Sequence, residues 1–219
     1  GGRNDYQTDW GDSERKLLDL VTATHDRGGT LLLPTAAVGR AQELLVVFEE
    51  AIREGSIPEV PIYLDGMIWE ATAIHTTYPE FLRADLQGRV LETDDNPFLA
   101  EAFERVEEGD EQRAAIAADG PAVVLAPSAT VTGGPILSWL RHLGDDPDSR
   151  LVFTEYLPRG TRGRRIQAGR TEIEVGGEGG IGTAETLNLQ LGVETLDGFS
   201  GHADRQGLEN FVRTMNPRP

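Results

Sequence analysis

The chain has 219 residues, of which 38 % are hydrophobic, with 37 Asp and Glu against 20 Lys and Arg, for a formal net charge of −17. That length lies between one and two ordinary ~150-residue domains and the apolar content is enough for a core, so one large folded domain is expected and a wholly disordered chain is excluded. No uncharged apolar run approaches the ~18–20 residues of a membrane span and no basic-then-apolar leader opens the sequence, so a soluble, cytoplasmic protein with no membrane partner is expected. Zero Cys excludes disulfides, thiolate metal sites and a Cys nucleophile.

In chain order, Asp12 or Ser13 can cap a first helix carrying Leu17, Leu18, Leu20 and Val21, which Gly28-Gly29 ends. Thr30 to Leu33 reads as a buried strand. Ala37 to Glu54 reads as a long helix with Leu44, Leu45, Phe48 and Ile52 on one face, closed by Gly55. Pro61 to Leu64 is a second strand, Met67 to Thr77 a helix, and Asn96 with Pro97 in its first turn starts another. Ala122 to Ala126 and Leu151 to Glu155 repeat the short apolar pattern of strands covered on both faces. This alternation predicts an α/β fold, a mostly parallel sheet with helices on both faces and right-handed crossovers. The tail differs. Thr171 to Val175 and Thr186 to Leu196 alternate apolar and polar, which predicts an exposed hairpin around Gly176 to Gly182. That glycine stretch lacks the Lys-Ser/Thr of a phosphate loop and the following helix of a dinucleotide site, so it reads as a flexible loop and counts against a nucleotide-binding enzyme.

Lys16 is the only lysine, and the acidic excess suits a halophile surface, since in molar salt the screening length falls to ~3 Å and self-repulsion costs little. An acidic protein that simply avoids nucleic acid is the alternative. Between Tyr156 and Thr171 the charge reverses: Arg159, Arg162, Arg164, Arg165 and Arg170 occur without one acid. Such an island either pairs with surrounding carboxylates or grips an anion.

In open α/β sheets ligands bind outside the carboxyl ends of the strands. Four expected strand-end loops carry glycine and small polar residues: Pro34 to Arg40, Pro127 to Pro135, Pro158 to Gly163 and Phe199 to Asp204. Glycines let backbone N–H groups approach a ligand, hydroxyls add donors, and a following helix N-terminus favours an anion. The histidines His25, His75, His142 and His202 are scattered singly, without the paired spacing of a zinc site. His25 falls in the last turn of the first helix, and His75 and His142 fall within expected helices. His202 lies on a Ser-Gly-His turn opening a helix, where Asp204 either caps that helix or orients the ring.

Gly39-Arg40-Ala41-Gln42-Glu43-Leu44-Leu45, Thr132-Gly133-Gly134-Pro135, Glu155-Tyr156 with Gly160-Thr161, and Phe199-Ser200-Gly201-His202-Ala203-Asp204 resemble the β-CASP region of metallo-β-lactamase-fold RNA nucleases. Within these, the chain is most similar to archaeal homologues of the cleavage and polyadenylation specificity factor endonuclease. The resemblance runs from Gly1 to Pro219 and implies a Rossmann-like three-layer β-CASP domain excised from its metallo-β-lactamase partner. It implies that His202 is the catalytic histidine reaching the scissile phosphate. It also implies RNA contacts from Ser128, Thr132, Gly133, Gly134, Gly160, Thr161, Arg164, Ser200 and Gly201. Zinc belongs to the parent enzyme, with no metal bound by this chain: the family's acid motif would precede Gly1, its zinc-binding His would follow Pro219, and the His-x-His-x-Asp-His motif is absent. Ser128-Ala129-Thr130 stands where relatives have Ser-Gly-Met, and Arg159 where an acid usually precedes Gly-Thr.

The resemblance therefore implies one half of a zinc-dependent endoribonuclease of the mRNA 3′-end processing type. The implied partners are RNA, the parent's metallo-β-lactamase domain and, in some relatives, a second copy of the parent. Alone the chain should be inactive, because one imidazole supplies neither the nucleophile nor the charge stabilisation that phosphodiester hydrolysis needs. The alternative is a non-catalytic protein-binding scaffold, in which exposed acidic helices such as Glu101 to Asp119 face a basic partner.

Overall fold

The computed structural model describes residues 8–92, 95–107, 109–176 and 184–215. The first strand β1 (Thr30–Pro34) and β4 (Ala122–Ala126) are buried along their whole lengths and pair in parallel over five residues. Beyond β4 lie β2 (Ile62–Leu64) and β3 (Phe103–Arg105); on the other side of β1 lie β5 (Arg150–Phe153) and β8 (Gly192–Thr195). The resulting order is β3-β2-β4-β1-β5-β8, with every pair parallel. Because the strands point the same way, all their carboxyl ends emerge on one edge.

Alternate residues feed the two sides. Leu31, Leu33, Ile62, Leu64, Val123, Leu125 and Val152 pack with Leu17 and Val21 of α1 (Trp10–His25) and with Leu44, Leu45 and Phe48 of α2 (Arg40–Arg53). Leu32, Val124, Ala126, Leu151 and Phe153 face the opposite layer. There they meet Ile116 of α5 (Asp110–Asp119), Trp139 and Leu140 of α6 (Ile136–Leu143) and Ile166 of α7 (Arg162–Gln167). A parallel sheet covered on both faces needs such unbroken apolar strands. Between β2 and β3 the chain adds α3 (Ile68–Thr77) and α4 (Ala84–Glu92), and α8 (Arg205–Met215) is the last described helix. No helix among the described residues is long and apolar enough to cross a membrane.

Local chemistry moves several boundaries from their expected positions. Asp9 rather than Asp12 or Ser13 caps α1, accepting from the Gly11 amide at 2.9 Å, while the Ser13 hydroxyl is buried and accepts from the Gly198 amide. The helix expected from Ala37 begins at Arg40, because Gly39 takes φ +86° and the Gln42 side chain caps its amide at 2.7 Å. Asn96 does accept from the Phe98 amide, but one 3-10 turn (Pro97–Leu99) forms in place of a helix. Phe98 drops into the α2 side of the core at 4 % exposure and the chain re-enters the sheet as β3. The acidic stretch from Glu101 is therefore strand first and helix only from Asp110.

The tail divides differently from the expected hairpin. Glu172–Val175 (β6) pairs antiparallel with Glu185–Asn188 (β7), as anticipated, but the rest of the second arm leaves the hairpin. Leu189 and Leu191 bury themselves, the Gln190 and Leu191 amides donate to the Gly144 carbonyl, and the chain joins the main sheet as β8. A period of two is common to a hairpin arm and to an edge strand of a parallel sheet, so alternation alone does not choose between them. The Gly177 to Gly182 part of the expected glycine loop lies outside the described residues.

Candidate functional site

The loop after β4 is built from hydroxyls and one unavoidable glycine. Thr130 Oγ1 and Thr132 Oγ1 lie 2.9 Å apart, the Thr132 amide donates to Ser128 Oγ at 3.2 Å, and the Ser128 amide donates to the Gly133 carbonyl. Gly134 has φ +80°, and a Cβ there would lie 2.9 Å from the Pro127 carbonyl oxygen, so only glycine closes this turn. Val131 holds φ +57°, a costly conformation for a β-branched residue. Two contacts hold it there: its side chain is fully buried, and an Arg162 Nη donates to its carbonyl at 2.6 Å.

The loop after β5 leads into α7. Thr161 caps that helix, accepting from the Arg164 amide at 3.3 Å and donating to the Pro158 carbonyl at 2.8 Å, and Gly160 is left-handed at φ +88°. The two loops touch: the Gly163 amide donates to the Thr130 carbonyl at 2.8 Å, and a Cβ on Gly163 would lie 2.9 Å from that oxygen. Gly163→Ala is accordingly expected to push α7 off the loop and cost about 1–3 kcal/mol, the usual range for overpacking, read from thermal melts.

Two buried or half-buried acids brace this edge, and the sequence reading assigned neither a role. Glu155 Oε1 accepts from the Ala36 amide at 2.7 Å and from Thr35 Oγ1 at 3.1 Å, tying the loop after β1 to the end of β5. Asp65, 1 % exposed at the end of β2, accepts from Trp139 Nε1 at 2.6 Å, from Arg113 at 2.7 and 3.1 Å, and from the Gly66 amide. Its hydrogen bond holds the Arg113 guanidinium above the usual arginine range, against the opposing effect of burial. Gly66 abuts Pro127 and Pro135, so this cluster supports the base of the β4 loop. A signal existed in the lone acid directly after an apolar strand, but a solvated turn has the same signature.

The loop after β8 is anchored by Leu196 and the fully buried Phe199, against which Trp10 packs edge-on with centroids 4.9 Å apart. Above that anchor the His202 amide donates to Ser200 Oγ at 3.3 Å, and Asp204 caps α8 by accepting from the Gly207 amide at 2.8 Å. Gly201 and His202 are exposed, and the imidazole makes no hydrogen bond among the described residues. The other histidines have local neighbours: His25 Nδ1 lies 3.5 Å from Asp26, His75 meets the Ala71 carbonyl at 2.7 Å, and His142 lies 3.1 Å from Asp110.

The strand order β4-β1-β5-β8 thus sets Ser128, Thr132, Gly133 and Gly134, then Gly160 and Thr161, then Ser200, Gly201 and His202 along one edge. Arg164 lies on the outer surface of α7, bonded to Gln167. Arg40, Arg53, Arg89, Arg105, Arg113 and others pair with carboxylates, whereas none of Arg159, Arg162, Arg164, Arg165 and Arg170 has a carboxylate within 4 Å among the described residues. Burial first, and Arg165 second, pull the Arg162 guanidinium below the usual arginine range. No three His, Asp or Glu side chains among the described residues converge on a point that could hold a metal ion, so these residues do not fit a zinc site.

An open parallel sheet whose strand-end loops present glycines, hydroxyls and one exposed imidazole, beside arginines with no carboxylate within 4 Å among the described residues, defines an α/β domain with hydrogen-bond donors gathered along one edge. Residues 41–166 match the Beta-Casp domain family, and the chain belongs to it. Residues 186–219 match a second family, described as the Zn-dependent metallo-hydrolase RNA specificity domain. β8, inside the second match, hydrogen-bonds to β5, inside the first. The chain is similar to proteins named transcription termination factor FttA in archaea: 45 % identical over all 219 residues to those of Methanosarcina mazei, Thermococcus kodakarensis and Methanocaldococcus jannaschii. It spans about a third of the length of these relatives (34 %, 33 % and 34 %).

Proposed function

We propose that residues 1–219 form the RNA-clamping, histidine-donating β-CASP domain of a zinc-dependent endoribonuclease whose metals are held by a metallo-β-lactamase domain elsewhere in the parent protein. The observation that carries this reading is the convergence of three hydroxyl- and glycine-bearing loops with the exposed His202 on one edge of the sheet. The second family match, described by RNA specificity and zinc-dependent hydrolysis, supports it.

In this reading Ser128, Thr132, Gly133, Gly134, Gly160, Thr161, Ser200 and Gly201 offer hydroxyls and backbone N–H groups to phosphates, with Arg164 alongside. Such contacts position the strand without reading its sequence. His202, held on its turn by the Ser200 hydroxyl and the Asp204-capped helix, gives a proton to the leaving oxygen. The relatives' name concerns transcription termination, and a domain of this kind would act where a nascent transcript is cut to end it.

The test is binding of single-stranded RNA by the chain over a range of salt. Each phosphate engaged should contribute about −0.7 to the slope of log affinity against log salt. We expect a clear negative slope, no cleavage by the chain alone, and chelator-sensitive cleavage by the parent protein. A chain with no affinity for RNA at low salt would sink the reading and leave a protein-docking module in its place.

A further inference from the structure

Beside the strand-end edge, between α7 and the β6–β7 hairpin, lies a cavity of about 430 Å³ that none of the loops above fills. Thr132 and Gly160 of the strand-end loops, Arg162 and Arg165 of α7, Arg170 after it, and Glu172 and Glu174 of β6 are among the residues that line it. A guanidinium has five N–H donors. Arg162 gives one bond to the Val131 carbonyl and Arg165 one to the Gly160 carbonyl, and no carboxylate comes within 4 Å of any of the three arginines among the described residues. Three cations share this cavity with two carboxylates, none within 4 Å of them among the described residues, so their mutual repulsion is offset only in part and an entering anion offsets the rest. The carboxylates in the same lining disfavour an anion charged on every side. They suit a phosphodiester, whose single charge faces the arginines while the attached sugar faces the hairpin.

We propose that this cavity is a ribose-phosphate subsite continuing the RNA path off the edge of the sheet. Arg162, Arg165 and Arg170 take a backbone phosphate, and Glu172 and Glu174 accept a hydrogen bond from the neighbouring ribose 2′-hydroxyl, the group that distinguishes RNA from DNA. The subsite therefore contributes a preference for RNA, and the inference rests on the RNA-clamp reading.

The test compares binding of a short oligouridylate and its deoxy counterpart to the chain and two variants, each built only from exposed residues so that the fold is kept. In Arg165→Gln/Arg170→Gln the salt slope for RNA should become shallower by up to about 0.7, the worth of the one phosphate contact for a single strand. In Glu172→Ala/Glu174→Ala the preference for RNA over DNA should fall roughly tenfold, the effect of one charge-assisted hydrogen bond. Inorganic phosphate at constant ionic strength should not displace the RNA. An unchanged slope in the first variant, an unchanged preference in the second, or displacement by inorganic phosphate would each overturn the subsite while leaving the clamp intact. Loss of RNA binding by the unsubstituted chain would overturn both.

Discussion

Asp65→Ala is expected to lower the unfolding free energy by about 3–5 kcal/mol, the range for breaking a buried ion pair from one side. For a domain of this size that is a fall of roughly 6–20 °C in melting temperature. The cause is what the carboxylate leaves behind. Arg113, whose side chain is 14 % exposed, loses both of its contacts to Asp65, and the fully buried Trp139 indole loses its acceptor. Buried donors without partners cost more than the bonds themselves contributed. The β4 loop should loosen as well, because Gly66 and its contacts with Pro127 and Pro135 sit on the same support. Adding Arg113→Met removes the orphaned charge, so the double variant should be less destabilised than the two single effects summed. Calorimetry or urea titration reads all three, and a loss below ~1 kcal/mol for Asp65→Ala would show that the cluster does not support the fold.

His202→Ala in the parent protein is expected to lower kcat by about 10²–10⁴-fold, the usual contribution of a positioned general acid. RNA affinity should stay close to that of the unsubstituted protein, since the backbone and hydroxyl contacts remain. The residue is exposed and supports no packing, so stability should change by no more than about 0.5 kcal/mol. A structural role would reverse this pattern, shifting the melting curve and sparing kcat. Single-turnover cleavage set beside equilibrium binding separates the two, and unchanged cleavage would remove His202 from the proposed chemistry.

The central frame was legible because burial on two faces leaves an uninterrupted apolar signature. Ala122–Ala126 is a strand over the residues expected, and β1 begins at the expected Thr30. Loops after β1, β4, β5 and β8 stood out through their glycines and hydroxyls, which those turns require. β3 escaped because only Phe103 of its three residues faces the core, leaving no period to read. The Asn96-Pro97 start signal was genuine, and the burial of Phe98 overrode it within one turn. Asp65 and Arg113 escaped because nothing local distinguishes a buried acid from a solvated one; their pairing spans 48 residues.

By itself the sequence determined the α/β class, the covered parallel centre, the turn chemistry of the strand-end loops and the acid-free run of five arginines, because each is written in neighbouring residues. Tertiary structure alone decided that the second tail arm leaves its hairpin to lie beside β5, that Asp65 braces the edge, and that Arg162, Arg165 and Arg170 share a cavity with Glu172 and Glu174 while having no carboxylate within 4 Å among the described residues. The division is physical. Periodicity and turn preference are local properties of the chain, whereas strand partners, ion pairs and cavities depend on segments that meet only once the core has formed.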